Sequence, residues 1–242
     1  MRSVGIIPAR LAATRLPNKP LIDIGGKPML QRVWERALLA KNLEEVLIAT
    51  PDEAIRDAAE GWGARAVMTA PTHRSGTDRL AEAAEKLDCD IVVNIQGDEP
   101  LIAPEAIDAV MMPLVDDPSL QMSSLMCPCP DEDLENPACV KVVFDQFDRA
   151  LYFSRSRIPY PRTKGSAVWQ HIGLYAYRRA FLVKYVRMKP TPLEMAESLE
   201  QLRALESGVA IKMVRWPEAP LSVDTEQDLA RMRAILADRE KS

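Results

Sequence analysis

Arg10, Arg15 and Lys19 lie close together directly after the apolar run 4–8, and residues 1–22 contain no Asp or Glu. Guanidinium forks suit phosphate oxygens and a lysine adds a mobile point charge, so this segment has the chemistry of a polyphosphate cradle. The alternative is a solvated basic loop. Two familiar phosphate motifs are absent: no Gly-x-Gly-x-x-Gly follows the strand, and Gly26-Lys27 runs into Pro28, with Leu21 where a Walker loop needs its first glycine. Neither an NAD enzyme nor a P-loop ATPase fits. A second acid-free stretch, 149–193, carries ten Lys and Arg. There Arg155, Arg157 and His171 can bind a carboxylate and Tyr175 offers a hydroxyl, the alternative for a lone histidine being a structural one.

Acidic candidates complement these bases. The apolar run 91–95 leads into Gln96-Gly97-Asp98-Glu99-Pro100, where Asp98 can hold Mg²⁺ against a nucleotide phosphate and Gly97 lets the backbone approach closely. Turn or helix-entry chemistry explains Asp-Glu-Pro equally well. In Ser222-Val-Asp-Thr-Glu-Gln-Asp-Leu229 the sequence by itself favours Asp224 as part of a helix cap, with a second metal carboxylate as the alternative. The run His73-Arg-Ser-Gly-Thr-Asp-Arg79 offers hydroxyls and backbone N–H groups to a base or sugar, or caps a helix through Ser75 or Thr77. No Ser or Cys has a His–Asp partner pattern for a nucleophilic triad. Cys89, Cys127, Cys129 and Cys139 lack zinc-site spacing and are expected to be free, largely buried thiols.

These groups need a frame. With 242 residues and 47% hydrophobic composition the chain has ample core material. A net charge of −4 gives no sign of a nucleic-acid partner or a polybasic membrane surface. No run reaches the ~18–20 apolar residues of a membrane span, and 4–9 is too short for a signal-peptide core, so a cytoplasmic protein without membrane insertion is expected. Short β-branched runs at 4–8, 45–50, 64–69 and 91–95 alternate with helical patterns at 28–40, 52–62 and 77–87, the signature of βαβ units on a mainly parallel sheet. Beyond a helix at 104–115, strands are predicted at 121–126, 140–144, 150–153, 170–177 and 210–214, and helices at 192–206 and 225–238. The expectation is one α/β domain over 1–242, Rossmann-like and three-layered, with an added mixed β/helical lobe at about 130–220.

The motif series Ile-Pro-Ala-Arg…Thr-Arg-Leu-Pro-Asn-Lys-Pro-Leu, Gly-Lys-Pro-Met, His-Arg-Ser-Gly-Thr-Asp-Arg-Leu, Asn-Ile-Gln-Gly-Asp-Glu-Pro, Leu-Tyr-Phe-Ser-Arg-Ser-Arg-Ile-Pro, His-Ile-Gly-Leu-Tyr-Ala-Tyr and Leu-Glu-Gln-Leu-Arg resembles the 3-deoxy-manno-octulosonate (Kdo) cytidylyltransferases. The motifs occur in the family's order from residue 6 to about 229. The resemblance implies a nucleotidyltransferase fold and the reaction of CTP with the acidic eight-carbon sugar Kdo to give CMP-Kdo and pyrophosphate. It further implies Mg²⁺, a cytoplasmic homodimer and a role in lipopolysaccharide synthesis. By position it assigns Arg10, Arg15 and Lys19 to the triphosphate, and Ser75, Gly76, Thr77 and Arg79, with Gln96 and Gly97, to the nucleotide. Asp98 and Asp224 match the metal ligands, which reverses the cap preference for Asp224; Lys19, Arg10 and Asp98 are the catalytic candidates. Arg155, His171 and Tyr175 match sugar-acid contacts, joined by Glu200 and Gln201. The nearest alternatives are enzymes for another acidic sugar, 8-amino-Kdo or sialic acid. Three departures stand out: Ala13 for a frequent Ser, Asn18 for a frequent Gly, and Leu221-Ser222 where the family has a glycine-containing approach to Val223-Asp224.

Overall fold

The computed structural model describes residues 1–11, 16–73, 75–163 and 165–239. In chain order the elements are β1 (Ser3–Pro8), α1 (Met29–Ala37), β2 (Glu45–Thr50), α2 (Glu53–Gly61), β3 (Arg65–Met68), α3 (Gly76–Glu85), β4 (Ile91–Asn94) and α4 (Pro104–Asp116). They continue with β5 (Met122–Pro128), β6 (Lys141–Phe144), β7 (Ala150–Ser154), β8 (Trp169–Arg178), α5 (Arg179–Tyr185), α6 (Pro192–Glu197), α7 (Leu202–Glu206), β9 (Ile211–Arg215) and α8 (Glu226–Arg239). Single 3-10 turns cover Lys19–Leu21 and Asp131–Asp133. The chain divides into two compact units, Met1–Asp108 with Pro220–Ser242, and Ala109–Ala219.

In the first unit the strands lie in the order β3-β2-β1-β4, all parallel. Their side chains are buried almost throughout β1, β2 and β4, as a sheet covered on both faces requires. The chain steps outward from β1 through β2 to β3, then returns to place β4 on the other side of β1. That reversal is a topological switch point, and in such sheets ligands bind beyond the carboxyl ends of the flanking strands. The segments beyond β1 and β4 are those that bear Arg10, Lys19 and Asp98.

The second unit is mixed. Strand β5 runs antiparallel to β8 and parallel to β9, while β6 pairs antiparallel with both β7 and β8. The α/β class is thus as expected, and the predicted strands differ from the observed ones by one or two residues at their ends. The predicted helix over 192–206 is a correction: Ser198, with φ 52°, ends α6 in the left-handed conformation and α7 starts only at Leu202. Pro28 is the cap of α1 rather than its first helical residue, because its ψ of 143° is extended. Helix α5 was not anticipated, since no glycine or proline separates it from β8 and its aromatic residues prolong the strand-like pattern.

Candidate active site

The basic segment after β1 is tied down from both sides. Ala9 donates its N–H to Ala49 O at 2.9 Å, and Leu11 donates to the Asp52 carboxylate at 2.8 Å, leaving the Arg10 side chain exposed. Arg15 and Ala13 lie outside the described residues. At the far end Asn18 takes the left-handed conformation, φ 55°, and so opens the Lys19–Leu21 turn. This is where Asn replaces the family's glycine, and among non-glycine residues Asn and Asp adopt that conformation most readily. Leu16, Ile24 and Met29 then pack with Val223, Leu229, Met232 and Leu236 in one buried cluster. At roughly 1.5–3 kcal/mol per fully buried aliphatic side chain, this packing holds α8 and its leading residues against the basic segment.

Lys19 Nζ donates at 2.8 Å to both Asp98 Oδ2 and Asp224 Oδ1. Residues 79 and 205 positions away in sequence therefore meet on one ammonium. The backbone makes the meeting stereospecific, because Val223 donates its N–H to Asp98 O at 2.9 Å. Leu221-Ser222 consequently delivers Asp224 to the site without the glycine-containing approach. The helix cap is formed by its neighbours: Asp228 N donates to Thr225 Oγ1 at 3.2 Å, and Thr225 N donates to Asp228 Oδ2 at 2.9 Å. Asp224 is left free of capping by its side chain. Burial works against the Lys19 ammonium, but Asp98 and then Asp224 outweigh it, and the lysine pKa is raised.

Glu99, next to Asp98, has a different character. Its side chain is buried, and Oε2 has no partner among the described residues. Burial, reinforced by the Asp98 charge, pushes its carboxyl up to about 8. The paired carboxylates of the sequence thus separate into an open anion, Asp98, and an enclosed neutral acid. Gly97 lies against the end of β1, where a Cβ would meet Ile7 Cγ2 at 3.4 Å and Pro8 O at 3.5 Å. Gln96 is half-buried beside it.

The proposed nucleotide segment is anchored by α3. Ser75 is the N-cap and forms a capping box with Asp78, which decides between Ser75 and Thr77 as the cap. Gly76 begins the helix, where a Cβ would lie 3.5 Å from Pro8 Cγ, and Thr77 is half-buried. Arg79 is buried and donates to Thr69 Oγ1 and Ala70 O, so it braces the segment from behind. Burial, then the charge of Arg10, lowers its pKa.

Glu82, which the motif reading passed over, accepts from Ala70 N at 2.7 Å, from Lys86 at 2.9 Å, and meets His73 Nε2 at 2.6 Å. Burial pushes its carboxyl up, but the bonds from Ala70, Lys86 and His73 more than offset this and hold it at about 2, against an ordinary 4.5. A depressed carboxylate pKa contributes stability that is present above 4.5 and lost as pH falls towards 2, here about 3 kcal/mol. Urea unfolding should show Glu82→Gln destabilised at neutral pH, with the difference from wild type narrowing between about pH 5 and pH 3. A difference independent of pH over that range would refute this role.

The remaining candidates lie in the second unit. His171 and Tyr175 are neighbours on β8, ring centroids 5.3 Å apart, and Tyr175 stacks in turn on Tyr177 at 5.8 Å. Burial lowers the His171 pKa to about 3 and raises that of Tyr175 well above 10. Burial thus holds the imidazole neutral in the free protein. Arg155 donates Nε to Glu197 O at 2.8 Å, Nη1 to Pro137 O at 3.0 Å and Nη2 to Ser198 O at 3.3 Å. Two of these N–H groups hold the segment leading to Glu200 and Gln201, the latter buried at the start of α7, and the third ties it to Pro137. Glu197 completes that clamp by accepting from Ser154 Oγ at 2.6 Å and from Arg155 N at 3.0 Å. Neither Glu197 nor Glu82 carries a sequence signal beyond an acid on a helix, so only the fold identifies them.

A cytidylyltransferase family model matches residues 4–212. The 3-deoxy-manno-octulosonate cytidylyltransferase of Geobacter metallireducens is 47% identical over 245 residues, covering 96% of each chain. That of Chloroherpeton thalassium is 45% identical over 246 residues, covering 100% of each. A solved CMP:2-keto-3-deoxy-manno-octonic acid synthetase complexed with CTP matches with a TM-score of 0.96 at 42% identity, over 99% of this chain and 100% of that one. The 4-diphosphocytidyl-2C-methyl-D-erythritol synthase of Anaerococcus prevotii, 16% identical with a TM-score of 0.65 over 98% of each chain, shares the fold alone.

Proposed function

The chain belongs to the 3-deoxy-manno-octulosonate cytidylyltransferase family, and from that membership we propose how its own residues activate Kdo with CTP to give CMP-Kdo and pyrophosphate. The observation that supports the assignment most strongly is the convergence of Lys19, Asp98 and Asp224 beyond β1 and β4. In the reaction the oxygen of the sugar's anomeric hydroxyl bonds to the α-phosphorus of CTP, the bond from that phosphorus to the α–β bridging oxygen breaks, pyrophosphate departs and the hydroxyl proton is released to solvent. Nucleotidyl transfer of this kind depends on positioning and charge neutralisation, so no protein nucleophile is required. Lys19, kept protonated by its two carboxylate partners, and Arg10 neutralise the triphosphate and the departing pyrophosphate. Ser75, Gly76 and Thr77, braced by Arg79, present hydroxyl and backbone groups to the nucleoside, with Gln96 and Gly97 alongside. His171, Tyr175, Glu200 and Gln201 are assigned to the sugar acid, with Arg155 as their brace and a further donor.

The centre has the chemistry of a Mg²⁺ site. Two hard oxygen donors already share one point cation, and among the described residues no third His, Cys, Asp or Glu joins them in a cluster able to hold a metal. Magnesium is commonly bound by one or two carboxylates together with substrate phosphate oxygens. Asp98 and Asp224 would hold it, and when bound it would supply charge neutralisation and a lowered pKa of the attacking hydroxyl. Family membership also supports a cytoplasmic homodimer serving lipopolysaccharide synthesis. Among the described residues no helix is long and apolar enough to cross a membrane.

Pyrophosphate release with CTP or UTP, each with and without Kdo, and with 8-amino-Kdo and sialic acid in parallel, tests this function. Release requiring both CTP and Kdo, with CMP-Kdo identified by mass spectrometry, is expected. Turnover with 8-amino-Kdo or sialic acid and none with Kdo would overturn it.

A further inference from the structure

Ser124 is fully buried on β5, at the point where the β5–β8 ladder changes register. Ser124 faces Tyr175 while Leu125 faces Ile172, so the register jumps across Gly173 and Leu174 of β8. Bulges of this kind redirect side chains next to functional sites. Into this one the Ser124 hydroxyl projects, 3.0 Å from Ile172 O, 2.9 Å from Leu174 O and 2.9 Å from His171 Nε2.

A serine hydroxyl has one proton and two lone pairs, whereas a carbonyl oxygen only accepts. If His171 Nε2 lacked a proton, the hydroxyl would have to donate to the ring, and both carbonyls would face an oxygen lone pair at hydrogen-bond distance. With the proton shared between the carbonyls, the same oxygen accepts from Nε2–H and every group is satisfied. The buried hydroxyl therefore selects the tautomer, since its proton belongs between it and the two carbonyls and its lone pair is left to accept from the ring. The ring's other surroundings are uncharged: the Phe153 ring at 5.0 Å and the Tyr175 ring at 5.3 Å. Nδ1 makes no hydrogen bond among the described residues.

We propose that Ser124 is a positioning residue that fixes His171 as the neutral Nε2–H imidazole, so that Nδ1 accepts a hydrogen bond from a hydroxyl of the sugar acid. The sugar half of this inference rests on the Kdo-activating function above; the tautomer half does not. His171 then recognises a hydroxyl by position, and the negative charge of the sugar falls to other groups.

The chain has only two histidines, so long-range ¹H–¹⁵N correlation of the free protein resolves both rings, with His73→Gln giving the assignment. A protonated Nε2 and an unprotonated Nδ1 on His171 are expected, with the preference lost in Ser124→Ala and kept in Ser124→Thr. Steady-state kinetics should show KM for Kdo raised about tenfold in Ser124→Ala, KM for CTP within about twofold, and both restored in Ser124→Thr. A His171 carrying its proton on Nδ1, or one that is an imidazolium at neutral pH, would overturn the proposal from wild-type spectra alone, whether or not Ser124→Ala folds. The expected tautomer with an unchanged KM for Kdo in Ser124→Ala would overturn the sugar contact. Absence of CMP-Kdo from the wild-type protein would instead overturn the function on which that contact rests, leaving the tautomer to be judged by the spectra.

Discussion

Asp98→Asn is expected to lower kcat for CMP-Kdo formation by about 10²–10³-fold while leaving the fold intact. Asn keeps the shape of the side chain beyond β4 and removes only its charge. The backbone bond from Val223 N to Asp98 O is untouched by the change, so Asp224 should remain beside Lys19. What is lost is one of the two anionic oxygens that meet on the cation. Because that charge would act through the cation it holds, which neutralises the phosphates more in the transition state than in CTP at rest, kcat should fall much further than KM for CTP rises. Pyrophosphate release gives both parameters, and circular dichroism gives the fold. A variant with normal Mg²⁺-dependent turnover would show that Asp98 is only a turn residue.

Lys19→Met should be comparably damaging, by about 10²–10³-fold in kcat/KM, for the opposite electrostatic reason. Two carboxylates now spaced by one ammonium would face and repel each other without it. The leaving pyrophosphate would lose one of the cations proposed to neutralise it. Lys19→Arg is expected to recover little, since a planar fork does not reproduce a compact ammonium that reaches two oxygens at 2.8 Å. Calorimetric titration with CTP and pyrophosphate-release kinetics check this. Unchanged CTP affinity and turnover in Lys19→Met would remove the lysine from the mechanism.

The legibility of this protein in its sequence follows the range of the interactions involved. Strand β2, predicted and found at 45–50, is a continuous apolar run bounded by polar residues, so its own residues specify it. Asp98 and the basic segment were legible for the same reason, as local departures from an apolar pattern at strand ends. The break at Ser198 was not, because the left-handed turn is stabilised by contacts from elsewhere, including Arg155 donating to Glu197 O and Ser198 O. Asp224 is the clearest case. Thr225 and Asp228 do form a cap, so the local pattern was right about the helix, but one residue upstream a bond from Val223 N to Asp98 O turns Asp224 towards Lys19. Motif resemblance recovered that long-range fact where spacing could not. His171 shows the limit of residue type as a guide: the sequence left it a carboxylate partner or a structural histidine, and its burial and its bond with Ser124 come only from the fold.

We propose that Asp98 and Asp224 together hold a divalent cation for cytidylyl transfer. Titration of Mn²⁺ as a paramagnetic substitute for Mg²⁺, followed by electron paramagnetic resonance in the presence of CTP, addresses it directly on wild type, Asp98→Asn and Asp224→Asn. Each substitution is expected to weaken Mn²⁺ binding by at least about tenfold, and the double variant by little more than the weaker single one, as for ligands of one site. Wild-type Mn²⁺ affinity in Asp224→Asn, with turnover retained, would return Asp224 to the neighbourhood of a helix cap and contradict the account.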